Sequence, residues 1–129
     1  MVTPRELAII PIALLIHNLE EALTIDAYLP RMRDAWAAHL GTPPFPSAHA
    51  YHVAFVVLTI GAFALLLLAR WWTAAGYALI ALQALMAVNV ITHVIGAAAI
   101  GGYAPGLITA LLVEAPASVI VWRYRPRRT

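Results

Sequence analysis

Apolar residues run along this chain in four long stretches that are separated by short segments of different character. A helix needs roughly 20 mostly apolar residues to cross a bilayer, and four stretches meet that length: about 7–29, 48–69, 73–101 and 105–122. The segments 30–47 and 101–106 contain the prolines and glycines that typically separate helices, and residues 70–73 form a very short connection. The pattern predicts an all-α fold, an integral membrane four-helix bundle forming one transmembrane domain over residues 1–129.

Composition strengthens the membrane interpretation. Of the 129 residues, 63% are hydrophobic and only 11% are charged, which leaves too few polar side chains to cover a soluble domain of this size. The absence of cysteine excludes disulfides and thiolate metal sites. The net charge of +2 raises nucleic acid as a partner, but half of the arginines lie in the terminal sequence RYRPRRT, directly after an apolar run. That placement is typical of a cytoplasmic flank, so no nucleic-acid partner is expected.

The arginines also predict an orientation, because cytoplasmic loops carry an excess of positive charge. Two arginines fall on one side of the predicted bundle, Arg31 and Arg33, and six fall on the other: Arg5, Arg70, Arg123, Arg125, Arg127 and Arg128. Both termini are therefore predicted on the cytoplasmic side of the inner membrane. In the first connection Met32, Trp36 and Leu40 recur at four-residue spacing, which predicts a short helix over 31–40 lying on the outer surface.

The first span carries an unusual polar group, His17-Asn18-Leu19-Glu20-Glu21. His17, Glu20 and Glu21 share one helical face, because spacings of three and four residues return to the same side. Asn18 projects away from the centre of this face, and Asp26 points to the opposite side. A charged group at the bilayer centre costs on the order of 2–3 kcal/mol, so such residues are candidates for function.

The other spans offer partners at similar depth. Asn89 and His93 lie one helical turn apart on the third span, and His52 lies near the outer end of the second. On the fourth span Glu114 precedes Pro116, which lacks an amide hydrogen and should kink the helix there. At ~1.5 Å per residue, all of these groups fall between the midplane and the outer third of the predicted bundle.

Carboxylates and imidazoles on facing helices are the donors that zinc, iron and manganese accept. The sequence therefore predicts one or two divalent metal ions, with ligands drawn from five residues: His17, Glu21, His52, His93 and Glu114. Glu20 or Glu21 is expected to act as general base, and Asn89 to orient His93 or donate to a developing oxyanion. His39 and His49 are expected to face headgroups or water, and Gln83 to be structural. A hydrogen-bond network that only holds the bundle together is the alternative to a metal site.

Three motifs in this order resemble those of the HXXEE proteins, a family of small integral membrane proteins. They are His17-Asn18-Leu19-Glu20-Glu21, Asn89-Val90-Ile91-Thr92-His93 and Glu114-Ala115-Pro116. The resemblance covers nearly the whole chain and implies an enzymatic role carried by His17, Glu20, Glu21, Asn89, His93 and Glu114. It implies no particular reaction or substrate.

The expected function is a metal-dependent membrane hydrolase whose lipid or other apolar substrate enters from the outer half of the bilayer. A non-haem iron oxidase or hydroxylase on the same site is the first alternative. A proton or cation carrier is a second, although the inner halves of the spans offer few polar groups for a pathway. A haem- or lipid-binding protein is a third. Small bundles of this kind often associate, so a homo-oligomer is possible.

Overall fold

The fold is known from a computed structural model that describes residues 4–123, with side chains described between Glu6 and Trp122. All regular secondary structure in this part of the chain is helical, and it contains no strand. Arg125, Arg127 and Arg128, on which much of the predicted orientation rests, lie outside the described residues. The helices are α1 (Pro4–Leu7), α2 (Ile9–Leu40), α3 (Ala48–Leu68), α4 (Thr73–Ile100), α5 (Leu107–Thr109) and α6 (Ala115–Arg123), with a π-helical segment (Ala110–Glu114) between the last two.

Helix α2 is longer than the sequence pattern predicts. It runs for 32 residues, about 48 Å, and continues through Pro30 to Leu40. The prediction of a separate surface helix over 31–40 is therefore wrong in its boundary, because that segment is helical but continuous with the first span. A proline removes one backbone hydrogen bond, and the good helix formers that follow it here carry the helix onward. Gly41, with φ of +85°, ends it.

Helices α3 and α4 closely match the predicted second and third spans. Ser47 caps α3, its hydroxyl accepting a hydrogen bond from the Ala50 amide at 3.2 Å. Both helices are long and apolar enough to cross a membrane, yet only 11% of the most apolar window of α3 and 17% of that of α4 is buried. The apolar side chains of these two helices mostly face outwards, unlike those of core helices in a soluble protein.

The interior contains two apolar clusters with polar side chains between them. One cluster comprises Leu7, Ile10, Leu14, Ala62 and Leu79, and the other comprises Ile25, Leu29 and Phe55. Between them Asn18 ties α2 to α3, its amide donating to the Phe55 carbonyl at 3.2 Å and to the Thr59 hydroxyl at 2.8 Å. The functional candidates lie at this intermediate level, enclosed by α2, α4 and the C-terminal helices.

The expected distortion at Glu114 takes the form of a π-helical turn. Within this segment the Ala115 amide donates to the Ala110 carbonyl, five residues back rather than four. Pro116 has no amide hydrogen for the next bond, so the regular α-helical ladder is interrupted at this position. Single π turns inside α-helices occur frequently at functional sites, and this one ends at the buried Glu114.

Candidate metal centre

Three predicted ligands meet between α2 and α4. His17 Nε2 lies 3.2 Å from His93 Nε2, and the Glu21 carboxylate oxygens lie 3.7 Å from the first nitrogen and 3.5 Å from the second. Their ligand atoms all fall within 4.8 Å of one another. His17 and His93 are buried, whereas Glu21 is partly exposed. These three residues, hereafter the His/Glu cluster, come together because i and i+4 residues of α2 share a face directed at α4.

Thr109, in α5, orients the His17 ring. Its Nδ1 lies 3.0 Å from the Thr109 hydroxyl, and that hydroxyl donates to the Gly106 carbonyl at 3.4 Å. We assign His17 the Nδ1–H tautomer, because the Thr109 hydroxyl donates to the Gly106 carbonyl and its oxygen then accepts from the ring. In this tautomer His17 presents an unprotonated Nε2 to the cluster, the arrangement that metal-binding histidines adopt.

Asn89 lies within hydrogen-bond distance of both imidazoles. Its Nδ2 lies 2.8 Å from His93 Nε2 and 3.3 Å from His17 Nε2, and the Thr92 hydroxyl lies between the Asn89 backbone carbonyl, at 2.7 Å, and Asn89 Oδ1, at 2.8 Å. The amide nitrogen is therefore directed at the histidines, and both Nε2 atoms serve as acceptors. On its other side the His93 ring hydrogen-bonds the Pro105 backbone carbonyl. The two Nε2 lone pairs thus converge on one point, where the Asn89 amide donates to them and where a metal ion would take the place of that donor.

Gly106 closes the site from the segment between α4 and α5. Its φ is +77°, and a Cβ atom added to it would lie 2.7 Å from Glu21 Cγ and 2.8 Å from Cε1 of both His17 and His93. Only glycine can adopt this backbone conformation freely and also approach all three side chains so closely. The backbone at Gly106 therefore packs directly on the His/Glu cluster.

The spacing of the donors fits a tetrahedral metal ion. Metal–nitrogen bonds of 2.0–2.1 Å at tetrahedral angles place two ligand nitrogens about 3.3 Å apart, and His17 Nε2 and His93 Nε2 are 3.2 Å apart. Two histidines and one glutamate, with a fourth position open, form a set used by catalytic zinc. The same two-histidine, one-carboxylate set serves iron(II) in oxygenases. The chemistry of the donors therefore fits one divalent metal.

Glu20 has a different surrounding from its neighbour Glu21. Its carboxylate accepts hydrogen bonds from the amides of Thr109 at 2.7 Å and Ile108 at 3.3 Å, and from the Tyr103 hydroxyl at 2.5 Å. It thereby caps the start of α5 from another helix, satisfying amides that have no intrahelical partner. Burial and this bond to Glu20 raise the pKa of Tyr103, which stays a hydrogen-bond donor at neutral pH. The structure thus gives Glu20 a positioning role toward Thr109.

Two other predicted ligands lie outside the cluster. Glu114 contacts Gln83, whose Nε2 donates to Glu114 Oε2 at 2.9 Å. His52 donates from Nε2 to the Ala22 carbonyl at 3.0 Å and lies 3.9 Å from the exposed Asp26. Among the described residues, only the three of the His/Glu cluster form a group that could hold a metal ion, and Glu114 and His52 lie outside that group. His49 is exposed, as expected.

The His/Glu cluster opens into an apolar cavity of about 530 Å³. Glu21, Asn89 and His93 line one end of it, and Met32, Trp36 and Ile100 are among the residues that line the rest. The predicted surface helix therefore contributes, as the last turns of α2, a wall of this cavity. His39, expected to face headgroups or water, also lines it. The volume and lining are typical of a site for a small apolar ligand with few polar groups.

Four residues that contact the predicted site residues were not assigned to the site from sequence. Thr109 and Gly106 contact the cluster from the C-terminal part of the chain, Tyr103 binds Glu20, and Gln83 binds Glu114. The signal available in the sequence was the segment GGYAPG at 101–106, whose glycines mark a tight approach of backbone. Gln83 was expected to be structural, and its buried partner was not identified.

The fold and the site together define a class: an all-helical bundle with apolar outward-facing helices and a buried His/Glu cluster. The chain belongs to the HXXEE family, described as proteins of unknown function with an HXXEE motif, which it matches over residues 8–121. The resemblance drawn from its three motifs is thereby confirmed. No curated protein and no solved structure matches the chain.

Proposed function

We propose that the protein is a multi-pass membrane enzyme that binds one divalent metal ion through His17, Glu21 and His93. The observation that carries this proposal is the convergence of two imidazole Nε2 atoms and a carboxylate on one point. Thr109 and Pro105 hold the outer sides of the two rings, which is how proteins orient metal-binding histidines. A divalent cation between the rings would accept the two lone pairs to which the Asn89 amide otherwise donates, and would free that amide.

The proposed membrane location rests on the outward-facing apolar side chains of α3 and α4. Both helices are long enough to span a bilayer, and most of their apolar surface is not covered by the described residues. Together with α2 and the shorter apolar helix Leu107–Trp122 they make the four predicted spans. The polar cluster then lies at membrane depth, enclosed by the bundle as such groups require. An inner-membrane location with both termini cytoplasmic completes the proposal.

The proposed reaction is hydrolysis of a lipid or other apolar substrate bound in the cavity beside the cluster. When bound, a divalent metal supplies polarisation of a substrate carbonyl and activation of water. Glu21 lines the cavity, so one of its carboxylate oxygens would hold the ion and the other would accept the proton from that water. Asn89 donates from the same cavity wall toward developing negative charge. The apolar lining excludes bulk water and binds the hydrocarbon part of the substrate.

The same ligand set favours a second candidate, a non-haem iron oxidase or hydroxylase. Two histidines and one carboxylate with open positions are characteristic of iron(II) oxygenases. Zinc as the native metal supports hydrolysis, and iron supports oxidation. The identity of the metal therefore separates the two reactions before any substrate is known.

The first experiment is elemental analysis by mass spectrometry of the protein purified in detergent. We expect about one equivalent of metal in the wild-type protein. His17→Ala and Glu21→Gln should lose it, because each removes a ligand atom. His49→Ala and Asp26→Asn are the matched controls, since both residues are exposed and neither contacts the His/Glu cluster. Both control variants should retain the metal.

A second readout of the same preparations tests the reaction. A chromogenic long-chain acyl ester should be hydrolysed faster than its short-chain analogue, because the cavity is apolar. Removal of the metal by a chelator, or Glu21→Gln, should abolish turnover of this ester. Absence of metal after reconstitution with zinc, iron(II) and manganese(II), or equal loss of metal in the control variants, would contradict the metal site. Metal binding without turnover would contradict hydrolysis alone.

A further inference from the structure

A second buried polar contact lies apart from the His/Glu cluster. Gln83 on α4 and Glu114 at the end of the π segment are 2% and 1% exposed. Gln83 Nε2 donates to Glu114 Oε2 at 2.9 Å and to the Ser118 hydroxyl at 2.8 Å. We refer to these two residues as the Gln/Glu pair. It lies six residues before Asn89 on α4, roughly 9 Å along the helix.

Hydrogen-bond counting shows that the pair is incomplete. Both amide hydrogens of Gln83 are used, by Glu114 Oε2 and by Ser118. Gln83 Oε1 and Glu114 Oε1 are buried and have no donor among the described residues. Two unpaired acceptors on contacting side chains are unusual, because each costs about 1–3 kcal/mol when buried without a partner.

Charge counting shows the same deficit. No arginine side chain in the described part of the chain forms an ion pair with Glu114. The ion pairs seen there join histidines to Glu21 or Asp26. An ionised carboxylate that is buried without a positive partner is far more costly than an unpaired amide. Such a group takes up a proton instead of remaining charged. A proton on Glu114 would therefore remove the buried charge and also supply the missing hydrogen-bond donor.

We propose that the Gln/Glu pair is a proton-binding site in which Glu114 is a neutral carboxylic acid. A single proton on Glu114 Oε1, donated to Gln83 Oε1, satisfies both unpaired acceptors. With the bond from Gln83 Nε2 to Glu114 Oε2, the two side chains then form a cyclic acid–amide pair with two hydrogen bonds. Every polar atom of the pair has a partner in this arrangement, and no water molecule or metal ion is needed.

The π turn gives this site a structural consequence. Glu114 is the last residue of the π segment, and one residue of α-helical register changes the direction of a side chain by about 100°. Loss of the proton would leave a buried charge facing the Gln83 carbonyl oxygen, so deprotonation requires Glu114 to leave Gln83 or a cation to enter. This inference goes beyond the proposed enzyme function and holds whether or not the His/Glu cluster binds metal.

The test is infrared spectroscopy of the protein in detergent at neutral pH, in H₂O and in D₂O. We expect a carbonyl band of a protonated carboxylic acid that shifts in D₂O and is absent in Glu114→Gln. Asp26→Asn is the matched control, because Asp26 is an exposed carboxylate and its replacement should leave the band unchanged. Gln83→Leu should retain the band but move it, because the acid loses its amide partner.

Three results would overturn the proposal. The first is a spectrum of Glu114→Gln that is the same as that of the wild-type protein in this region. The second is a band that appears only when sodium is removed, which would identify a cation site. The third, decisive if Glu114→Gln fails to fold, is a Gln83→Leu band at the wild-type frequency. The metal content of Glu114→Gln is expected to equal that of the wild type, so failure of either proposal is distinguishable from failure of the other.

Discussion

The His/Glu cluster and the Gln/Glu pair each include a residue of α4 and differ in whether their lone pairs are accessible to a ligand. In the cluster, His17 and His93 direct two lone pairs at one point, and a cavity opens beside them. In the pair, one proton completes every hydrogen bond, and neither residue lines that cavity. Both are buried polar groups in an apolar bundle. The contrast indicates that converging lone pairs with access, rather than burial alone, distinguish a ligand site from a self-sufficient contact.

Gly106→Ala should have the largest effect on the cluster. The added Cβ would lie within 2.8 Å of Cε1 of His17 and of His93 and closer still to Glu21 Cγ, so all three ligands must move. We expect metal affinity to fall by at least about 100-fold, the upper end of what loss of ligand orientation costs. Isothermal titration of the metal-free protein with zinc measures the change.

Gly101→Ala is the matched control for that substitution. Gly101 also has a positive φ, +69°, but nothing lies within 4 Å of its Cβ position. Both variants carry the backbone strain of an L-residue in the left-handed region, about 1–2 kcal/mol. Only Gly106→Ala also displaces the ligands. Equal zinc affinity in the two variants would show that Gly106 does not form part of the site.

Thr109→Val should have an intermediate effect. It removes the hydroxyl that accepts from His17 Nδ1–H, while the Thr109 amide keeps its bond to Glu20. Loss of such an orienting partner typically weakens metal binding 10–100-fold. Zinc titration should show that loss with stoichiometry unchanged at saturation, and Thr109→Ser, which keeps the hydroxyl, should bind as the wild type does. A Val variant with unaltered affinity would remove Thr109 from the proposed site.

The helices could largely be predicted from sequence because each is a long apolar run bounded by polar or turn-forming residues. Helix α2 is the exception, because the sequence pattern predicts an end at residue 29, before Pro30, and the helix continues to Leu40. A proline inside a helix costs about 3 kcal/mol, which other interactions can offset. Whether the helix continues therefore depends on the residues after the proline and on tertiary contacts, which the sequence does not show. Here Arg33 donates to the Phe45 and Pro46 carbonyls and supports the extended helix.

The centre of the site was predictable because spacing within one helix fixes a face. His17 and Glu21 share a face of α2, and Asn89 and His93 share one of α4. The assignment of Glu114 and His52 to the same site relied on depth alone, which does not determine how each helix is rotated about its axis. Thr109 could not be predicted, because its contact with His17 joins residues 92 positions apart.

The smallest effect on metal binding is expected from replacing the Gln/Glu pair. Gln83→Leu leaves the acid without its amide, and Glu114→Leu leaves the amide without its acid, so each alone should destabilise the protein by about 1–3 kcal/mol. The double variant should recover most of that loss, because replacing both partners of a buried hydrogen bond by apolar groups is nearly neutral. Ser118 can then donate to a carbonyl of its own helix. Thermal unfolding in detergent measures the cycle, and zinc titration should give wild-type affinity throughout. A double variant that no longer binds zinc would mean that the two polar sites act as one, and the distinction between them would fail.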